Sequence, residues 1–229
     1  MHPIKTGYFL DFDHTLFNTD EFFHRDVRDS FLRFGIDAKC WEESYLAVWP
    51  TGYALEKHVE EICRRSGEKL PLNEMKQIVR DSFSDLSRYL FPDVVPFLEA
   101  AKEAEAWLGL LSFGDEGWQR YKVTSSGIDT YFDQMFFTAG EGRKAEVVLE
   151  HAREFRRIVV VDNSSDELDR IKDAVPDART IYMNRVPDEL TLPDSEVSRL
   201  KFLEARRYAG KVSRYWHDVS KTLHGILSV

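Results

Sequence analysis

Several short apolar runs in the chain have the length and composition of buried parallel strands. They are rich in β-branched, aromatic and leucine residues, and most are followed directly by polar residues. The runs lie at 8–10, 107–111, 135–138, 158–161 and 180–183. Because ligands bind at the carboxyl ends of the strands in open α/β sheets, the residues that follow these runs are the first candidates for a functional site.

The stretch from 20 to 90 has a helical pattern instead. Apolar residues recur there at helical spacing, and no part of it has a strand pattern. A first helix is predicted from about Glu21 to the glycine at 35, and further helices at about 41–48, 53–66 and 72–90. Proline and glycine residues separate these segments. The pattern predicts an all-helical insert between the first and second strands.

Composition narrows the class of protein. With 229 residues, the chain can form one good core and a smaller appended domain. A net charge of −9 argues against a general nucleic-acid surface and suits a cation site. No apolar run approaches the roughly 20 residues of a membrane span, and the N-terminus lacks a signal-peptide pattern, so we expect a cytoplasmic protein. Cys40 and Cys63 match no metal spacing and are expected to be reduced.

Two carboxylates follow the first strand. Asp11 and Asp13 are one residue apart, and Thr15 comes two residues later. Burying an unpaired carboxylate costs several kcal/mol, so two of them at the end of a core strand point to a bound cation. On an extended strand both would face the same side. One aspartate could then act as a covalent nucleophile, and the other could donate and accept a proton.

The order of polar residues after the later strands resembles the four motifs of the haloacid dehalogenase-like (HAD) superfamily. Asp11-Phe12-Asp13-His14-Thr15 resembles motif one, with His14 where glycine is common. Ser112 ends the second strand as motif two does, and Phe113 replaces the usual asparagine before Gly114. The resemblance covers roughly residues 5–183, and the joint match is more specific than any single motif.

The third and fourth motifs follow in the same order. Lys144 stands at a helix start like the lysine of motif three, with Arg143 as its rival and Ala145 where proline is common. Asp162 and Asp166 follow the clearest buried strand with the D-x-x-x-D spacing of motif four. Gln119 and Lys122 belong to the run after motif two, and we expect them to pack and cap locally.

The resemblance implies a fold and its domains. It implies a Rossmann-like parallel sheet with helices on both faces, formed by 1–18 and 91–185, and a helical cap formed by 19–90. This cap resembles that of the subgroup that includes phosphoglycolate phosphatase and the 2-haloacid dehalogenases. Such caps close over the site and select the substrate. Apolar residues at helical spacing predict one or two C-terminal helices within 186–229, packed on the core.

The resemblance also implies a reaction, the magnesium-dependent hydrolysis of a small phosphomonoester. Asp11 would be the nucleophile and Asp13 the general acid and base, while Ser112 and Lys144 would bind the phosphoryl group. Thr15, Phe113 and Gly114 would complete the substrate site. Mg²⁺ prefers oxygen ligands. Its ligands would be Asp11, the Asp13 backbone carbonyl and Asp162, with Asp166 acting through water or orienting Lys144.

Several alternatives stay open. Haloacid dehalogenases and phosphonatases of this fold lack an acid at the position of Asp13, so both are disfavoured. A phosphomutase shares all four motifs. The last 35 residues carry seven Lys or Arg against three Asp or Glu, so a binding or regulatory module acting through the C-terminal helices is a further hypothesis. We expect a small phosphorylated metabolite as the partner, no nucleic acid or membrane, and a monomer or homodimer.

Overall fold

The computed structural model describes residues 4–67, 69–140, 142–185 and 213–228. In these residues, six parallel strands form one sheet in the order β3-β2-β1-β4-β5-β6. The strands are β1 (Ile4–Leu10), β2 (Trp107–Phe113), β3 (Gln134–Thr138), β4 (Phe155–Asp162), β5 (Arg179–Met183) and β6 (Asp218–Ser220). The first five contain the predicted runs, which confirms the predicted parallel α/β sheet.

Helices cover both faces of the sheet. Leu10 of β1 belongs to one buried cluster with Leu98, whereas Phe9 belongs to another with Val148. The helices of the core are α5 (Val94–Glu103), α6 (Glu116–Ser125), α7 (Arg143–His151) and α8 (Ser165–Ala174). This alternation along β1 follows from the two-residue period of a strand, and it confirms the Rossmann-like prediction. None of the described helices is long and apolar enough to cross a membrane.

The insert after β1 is helical, as predicted. It begins with a π-helix (Asp20–Val27) that continues into α1 (Arg28–Leu32), followed by α2 (Ala38–Val48), α3 (Leu55–Ser66) and α4 (Leu72–Ser82). Its interior is aromatic: the ring centroids of Phe23 and Trp41 lie 5.5 Å apart, and Trp41 and His58 lie 4.3 Å apart. Edge and tilted ring contacts of this kind add to the stability that burial supplies.

The last predicted helix of the insert is shorter than expected. The pattern predicts helix over 72–90, but α4 ends at Ser82 and only a 3-10 turn, Ser87–Tyr89, follows. Contacts with the core explain the difference, because the Leu86 amide donates to the Ser125 carbonyl at the end of α6. The Asn18 amide also donates to the Tyr89 carbonyl, so the two chain crossings between core and insert lie side by side. They place the insert near the carboxyl ends of the strands.

The C-terminal segment is partly a strand. The sequence predicts amphipathic helices within 186–229, but in the described part of this segment, residues 213–228, β6 pairs with β5 and only a 3-10 turn, Ile226–Ser228, follows. A strand forms here in place of a helix because its pairing satisfies the backbone hydrogen-bonding groups along the open edge of β5. The part of the helix prediction on 186–212 lies outside the described residues, and the domain boundaries stay a prediction.

Candidate active site

The site is built around one lysine and two aspartates at the carboxyl ends of neighbouring strands. Asp11 follows β1, Asp162 ends β4, and Lys144 lies in the first turn of α7. The Lys144 Nζ donates to Asp11 Oδ1 and to Asp162 Oδ2, at 2.7 Å in each case. All three side chains are buried. The structure therefore brings together the predicted nucleophile, motif-three lysine and motif-four aspartate, and Lys144 rather than Arg143 occupies the site.

Charge in this cluster is unbalanced, because one ammonium serves two buried carboxylates. Burial raises the pKa of Asp11, Lys144 lowers it in part, and Asp162 raises it again, to about 6. Burial likewise raises the pKa of Asp162, although Lys144 opposes it. Burial alone would lower the pKa of Lys144, but the two carboxylates raise it well above its ordinary value. The lysine is thus fully charged, and the carboxylates would be stabilised by a further cation.

Asp11 is held in place by Thr15, and Thr15 in turn is held by Arg185, a residue that the sequence analysis missed. The buried Thr15 hydroxyl donates to Asp11 Oδ2 at 2.9 Å. Arg185, just past β5, donates through Nε to the Thr15 carbonyl at 3.0 Å and through Nη1 to both Asp93 oxygens at 2.9 Å. The predicted residue Thr15 is therefore a positioning group for Asp11 and not part of the cavity wall. The motif comparison could not identify Arg185, because the resemblance ends at about residue 183, just before it.

Asp13 is held by three donors. Its Oδ1 accepts from the Thr19 hydroxyl at 2.6 Å and from the Lys122 ammonium, and its Oδ2 accepts from the Gln119 amide at 2.9 Å. Burial would raise the pKa of Asp13, but Lys122 and the hydrogen bond from Thr19 lower it to about 2. The expectation that Gln119 and Lys122 pack and cap locally is wrong. The sequence did contain a signal for this contact. Gln119 and Lys122 are three residues apart, and residues at that spacing lie on the same face of a helix.

The end of β2 contributes the hydroxyl of Ser112. Ser112 is buried, and its Oγ has no hydrogen-bond partner among the described residues. The sequence analysis predicts that Gly114 binds substrate. Its backbone amide instead donates to the Thr138 carbonyl at 3.0 Å, so this amide is not available to a substrate. Gly114 serves another purpose. Its φ is +140°, and a Cβ there would lie 2.6 Å from the Gln119 Nε2 that holds Asp13.

One cavity of about 500 Å³ joins these groups. It opens between the strand ends and the helical insert. Among the predicted site residues, its walls include Asp11, Asp13, Ser112, Phe113, Lys144, Asp162 and Asp166. His14 also lines it with a φ of +61°, the left-handed conformation that explains why glycine suits this position. The structure thus gathers the four motifs around one space.

A model of the family described as haloacid dehalogenase-like hydrolase matches residues 8–159. The chain belongs to this family. No curated protein matches the sequence. The HAD-like hydrolase assignment confirms the resemblance drawn from the motifs, and the helical insert is consistent with the predicted cap.

Solved structures share the fold at low sequence identity. A haloacid dehalogenase-like hydrolase from Burkholderia xenovorans has 17% identity and a TM-score of 0.74, covering 99% of this chain and 96% of that one. The L-2-haloacid dehalogenase from Xanthobacter autotrophicus, with chloropropionic acid covalently bound, has 16% identity and a TM-score of 0.64, covering 96% and 95%. The HAD-hydrolase YfnB from Bacillus subtilis, bound to magnesium, has 15% identity and a TM-score of 0.58, covering 86% and 98%.

HAD-like hydrolases typically use a divalent metal ion, and the donor set of this site suits one. The carboxylates of Asp11 and Asp162 share a single ammonium, and Asp166 lines the same cavity. Oxygen donors with excess negative charge are what Mg²⁺ binds. In the described residues, however, no group of three or more His, Cys, Asp or Glu is arranged as a metal cluster. The residues fit a divalent metal ion by their chemistry.

Proposed function

We propose that this HAD-like hydrolase is a magnesium-dependent phosphatase that cleaves a small phosphomonoester through an aspartyl-phosphate intermediate. The observation that carries the proposal is the second carboxylate. Asp13 lines the same cavity as Asp11 and is held there by Thr19, Gln119 and Lys122. A phosphate ester needs a proton on its leaving oxygen, whereas a halide leaves as an anion without one. The side chain at this position therefore favours phosphoryl transfer over dehalogenation.

The first step is attack by an Asp11 carboxylate oxygen on phosphorus. A new O–P bond forms as the bond from phosphorus to the leaving oxygen breaks. Thr15 fixes Asp11 by donating to its Oδ2, while the Lys144 ammonium and the Ser112 hydroxyl, which has no partner among the described residues, can stabilise charge on the phosphoryl oxygens. Asp11 acts as a carboxylate, so lowering the pH through its pKa of about 6 would remove the nucleophile.

Asp13 moves the proton. A pKa of about 2 makes it a carboxylate at neutral pH, the form that takes a proton from water in the second step. In the first step the leaving oxygen needs a proton, which Asp13 relays from the Lys122 ammonium in contact with its Oδ1. In the second step Asp13 passes the proton that it takes from water back to Lys122. Hydrolysis then breaks the bond between phosphorus and Asp11, which releases phosphate and restores both aspartates.

Asp11, Asp162 and the Asp13 backbone carbonyl would hold Mg²⁺, with Asp166 as a further carboxylate. The bound ion would neutralise charge on the phosphoryl oxygens and balance the two buried carboxylates. The remaining chemistry comes from side chains of this chain. Lys144 stays an ammonium, and Ser112 donates a hydrogen bond to the phosphoryl group.

Phosphate release from a panel of phosphomonoesters tests the proposal, with Mg²⁺ or with EDTA. We expect release that requires Mg²⁺ and is lost in Asp11→Asn, whose circular dichroism should match the parent because the two side chains have nearly the same shape. Chloride release from 2-chloropropionic acid is the control for dehalogenation. Phosphate release that persists in Asp11→Asn, or chloride release in place of phosphate release, would contradict the proposal.

A further inference from the structure

The cavity has two chemically different halves. Around Asp11 and Lys144 it is charged, as phosphoryl chemistry requires. Away from them its walls are aromatic, with six rings: Phe23, Tyr45, Trp49, Tyr53, Phe113 and Trp118. None of the described residues of the insert that line the cavity is Lys, Arg, Asp or Glu. The leaving group of a bound phosphomonoester would meet this half, because the phosphoryl group must lie at Asp11.

The rings form a connected wall and not isolated contacts. Trp49 of the insert and Phe113 of the core meet across the opening, with ring centroids 6.1 Å apart and planes at 69°. Tyr53 and Trp118 make a second contact between insert and core, at 5.4 Å. Phe23 joins the wall to Tyr53 at 4.7 Å. Trp49 is 42% exposed, so its ring keeps a large free surface.

We infer that the substrate carries a planar, uncharged ring system on its phosphate ester, as a nucleoside monophosphate or an aryl phosphate does. Flat aromatic walls bind such rings by stacking, which contributes about 1–3 kcal/mol per ring and tolerates different ring chemistries. This inference rests on the proposed phosphatase function and names the substrate class of the same site.

The lack of lysine and arginine among the described insert residues of the aromatic half also disfavours substrates that carry a second anionic group. A carboxylate, as in phosphoglycolate, or a second phosphate, as in a mutase intermediate, would enter a wall without a lysine or arginine in the described insert residues. The cationic residues of the cavity, Lys122, Lys144 and Arg170, lie on helices of the core, and each already contacts a carboxylate. Burying such an anion without a partner costs several kcal/mol. His24 lines this half as well, but its Nδ1 lies 3.9 Å from Glu42 Oε2, so a carboxylate already faces it. Discrimination against anionic leaving groups therefore follows from the same wall.

A kinetic comparison tests the inference. The kcat/KM is measured with Mg²⁺ for adenosine 5′-monophosphate, p-nitrophenyl phosphate, glycerol 3-phosphate, phosphoglycolate and glucose 1,6-bisphosphate. We expect both ring esters to exceed both anionic substrates by about tenfold or more, and the two ring esters distinguish a nucleoside site from an aryl site. A rate on phosphoglycolate or the bisphosphate equal to the ring esters would overturn the ring inference and leave the phosphatase proposal standing.

Trp49→Ala provides the residue-level test. It should lose about tenfold more kcat/KM on the ring esters than on glycerol 3-phosphate, because only the former stack on Trp49. Trp216→Ala removes the same side chain from a position that is 89% exposed and outside the cavity, and should change neither rate. An equal loss on all substrates in Trp49→Ala would show a structural role and refute the stacking contact.

Binding separates failure of the inference from failure of the proposed reaction. Asp11→Asn is titrated calorimetrically with adenosine 5′-monophosphate and with phosphoglycolate. If the parent hydrolyses nothing, tighter binding of the nucleotide that Trp49→Ala abolishes would still support the ring pocket, while the phosphatase proposal would fail. Equal or tighter binding of phosphoglycolate would overturn the ring inference.

Discussion

Removing the Lys144 ammonium should destabilise the fold strongly. Lys144→Met leaves Asp11 and Asp162, 6% and 1% exposed, without the cation that both contact at 2.7 Å. Breaking a buried pair from one side typically costs about 3–5 kcal/mol. The variant can escape by protonating one carboxyl, but holding a carboxyl with an unfolded-state pKa near 3.9 neutral at pH 7 itself costs about 4 kcal/mol. Both routes give a loss of about 4 kcal/mol in the free energy of unfolding.

The loss in unfolding free energy of Lys144→Met should depend on pH, because the pKa of the buried carboxyls is raised in the folded state. A carboxyl with a raised folded-state pKa binds more protons in the folded than in the unfolded state, so its unfavourable contribution shrinks as the pH falls. The deficit of Lys144→Met relative to the parent should therefore narrow between pH 7 and pH 5, by about 1 kcal/mol or more. A second change, Asp162→Asn, should recover part of the loss at pH 7, because it removes one of the two unpaired carboxylates.

Urea unfolding at pH 7 and pH 5 measures these differences, provided that the m-values agree. Lys102→Met is the matched control: its ammonium lies 2.9 Å from Asp133 Oδ1, but both side chains are more than a third exposed. A pair at that exposure contributes at most about 1 kcal/mol. If Lys144→Met lost no more than Lys102→Met, or if its deficit widened at pH 5, the account of this buried cluster would be wrong.

Three further outcomes are expected. In Lys122→Met, the pKa of Asp13 should rise from about 2 past the ordinary aspartate value of 3.8, because burial raises it and the Lys122 ammonium that opposes burial is gone. A carboxyl-carbon NMR titration that stays near 2 would contradict this. Burial lowers the pKa of His58 from 6.5 to about 4, so the contribution of His58 to the unfolding free energy should fall by about 3 kcal/mol as the pH drops between these values, while the raised pKa of Asp11 acts in the opposite direction. Urea titrations of the parent and of His58→Gln at both pH values isolate the His58 contribution as the difference between the two proteins, and a difference that does not change with pH would contradict it. Arg185→Met should cost about 3–5 kcal/mol because its partner carboxylate stays buried. Arg179→Met should cost at most about 1 kcal/mol, because Arg179 and its partner Asp218 are 30% and 49% exposed, and equal losses would refute the difference.

The sequence by itself was enough to predict the sheet and the central residues of the site. Apolar runs form strands through local pattern, and the polar residues that follow them must then meet at one edge of a parallel sheet. That reasoning led to Asp11 and Asp162, and the resemblance to the HAD motifs added Ser112 and Lys144, without any knowledge of the contacts between them. It also predicted the helical insert, because helical spacing of apolar residues is a local property.

Only the tertiary structure decided which other side chains reach the site. Gln119 and Lys122 contact Asp13 across 106 and 109 residues of chain, and Arg185 contacts the Thr15 carbonyl across 170. A helix pattern does not tell which polar residue will face a site, since that depends on how the helix packs. Whether an aromatic ring lies in the interior of the insert, as Trp41 does, or on the cavity wall depends on the same packing. The sequence did not predict β6 for a related reason. This segment forms a strand because it can pair with the open edge of β5, and its own sequence has no strand pattern that would indicate this.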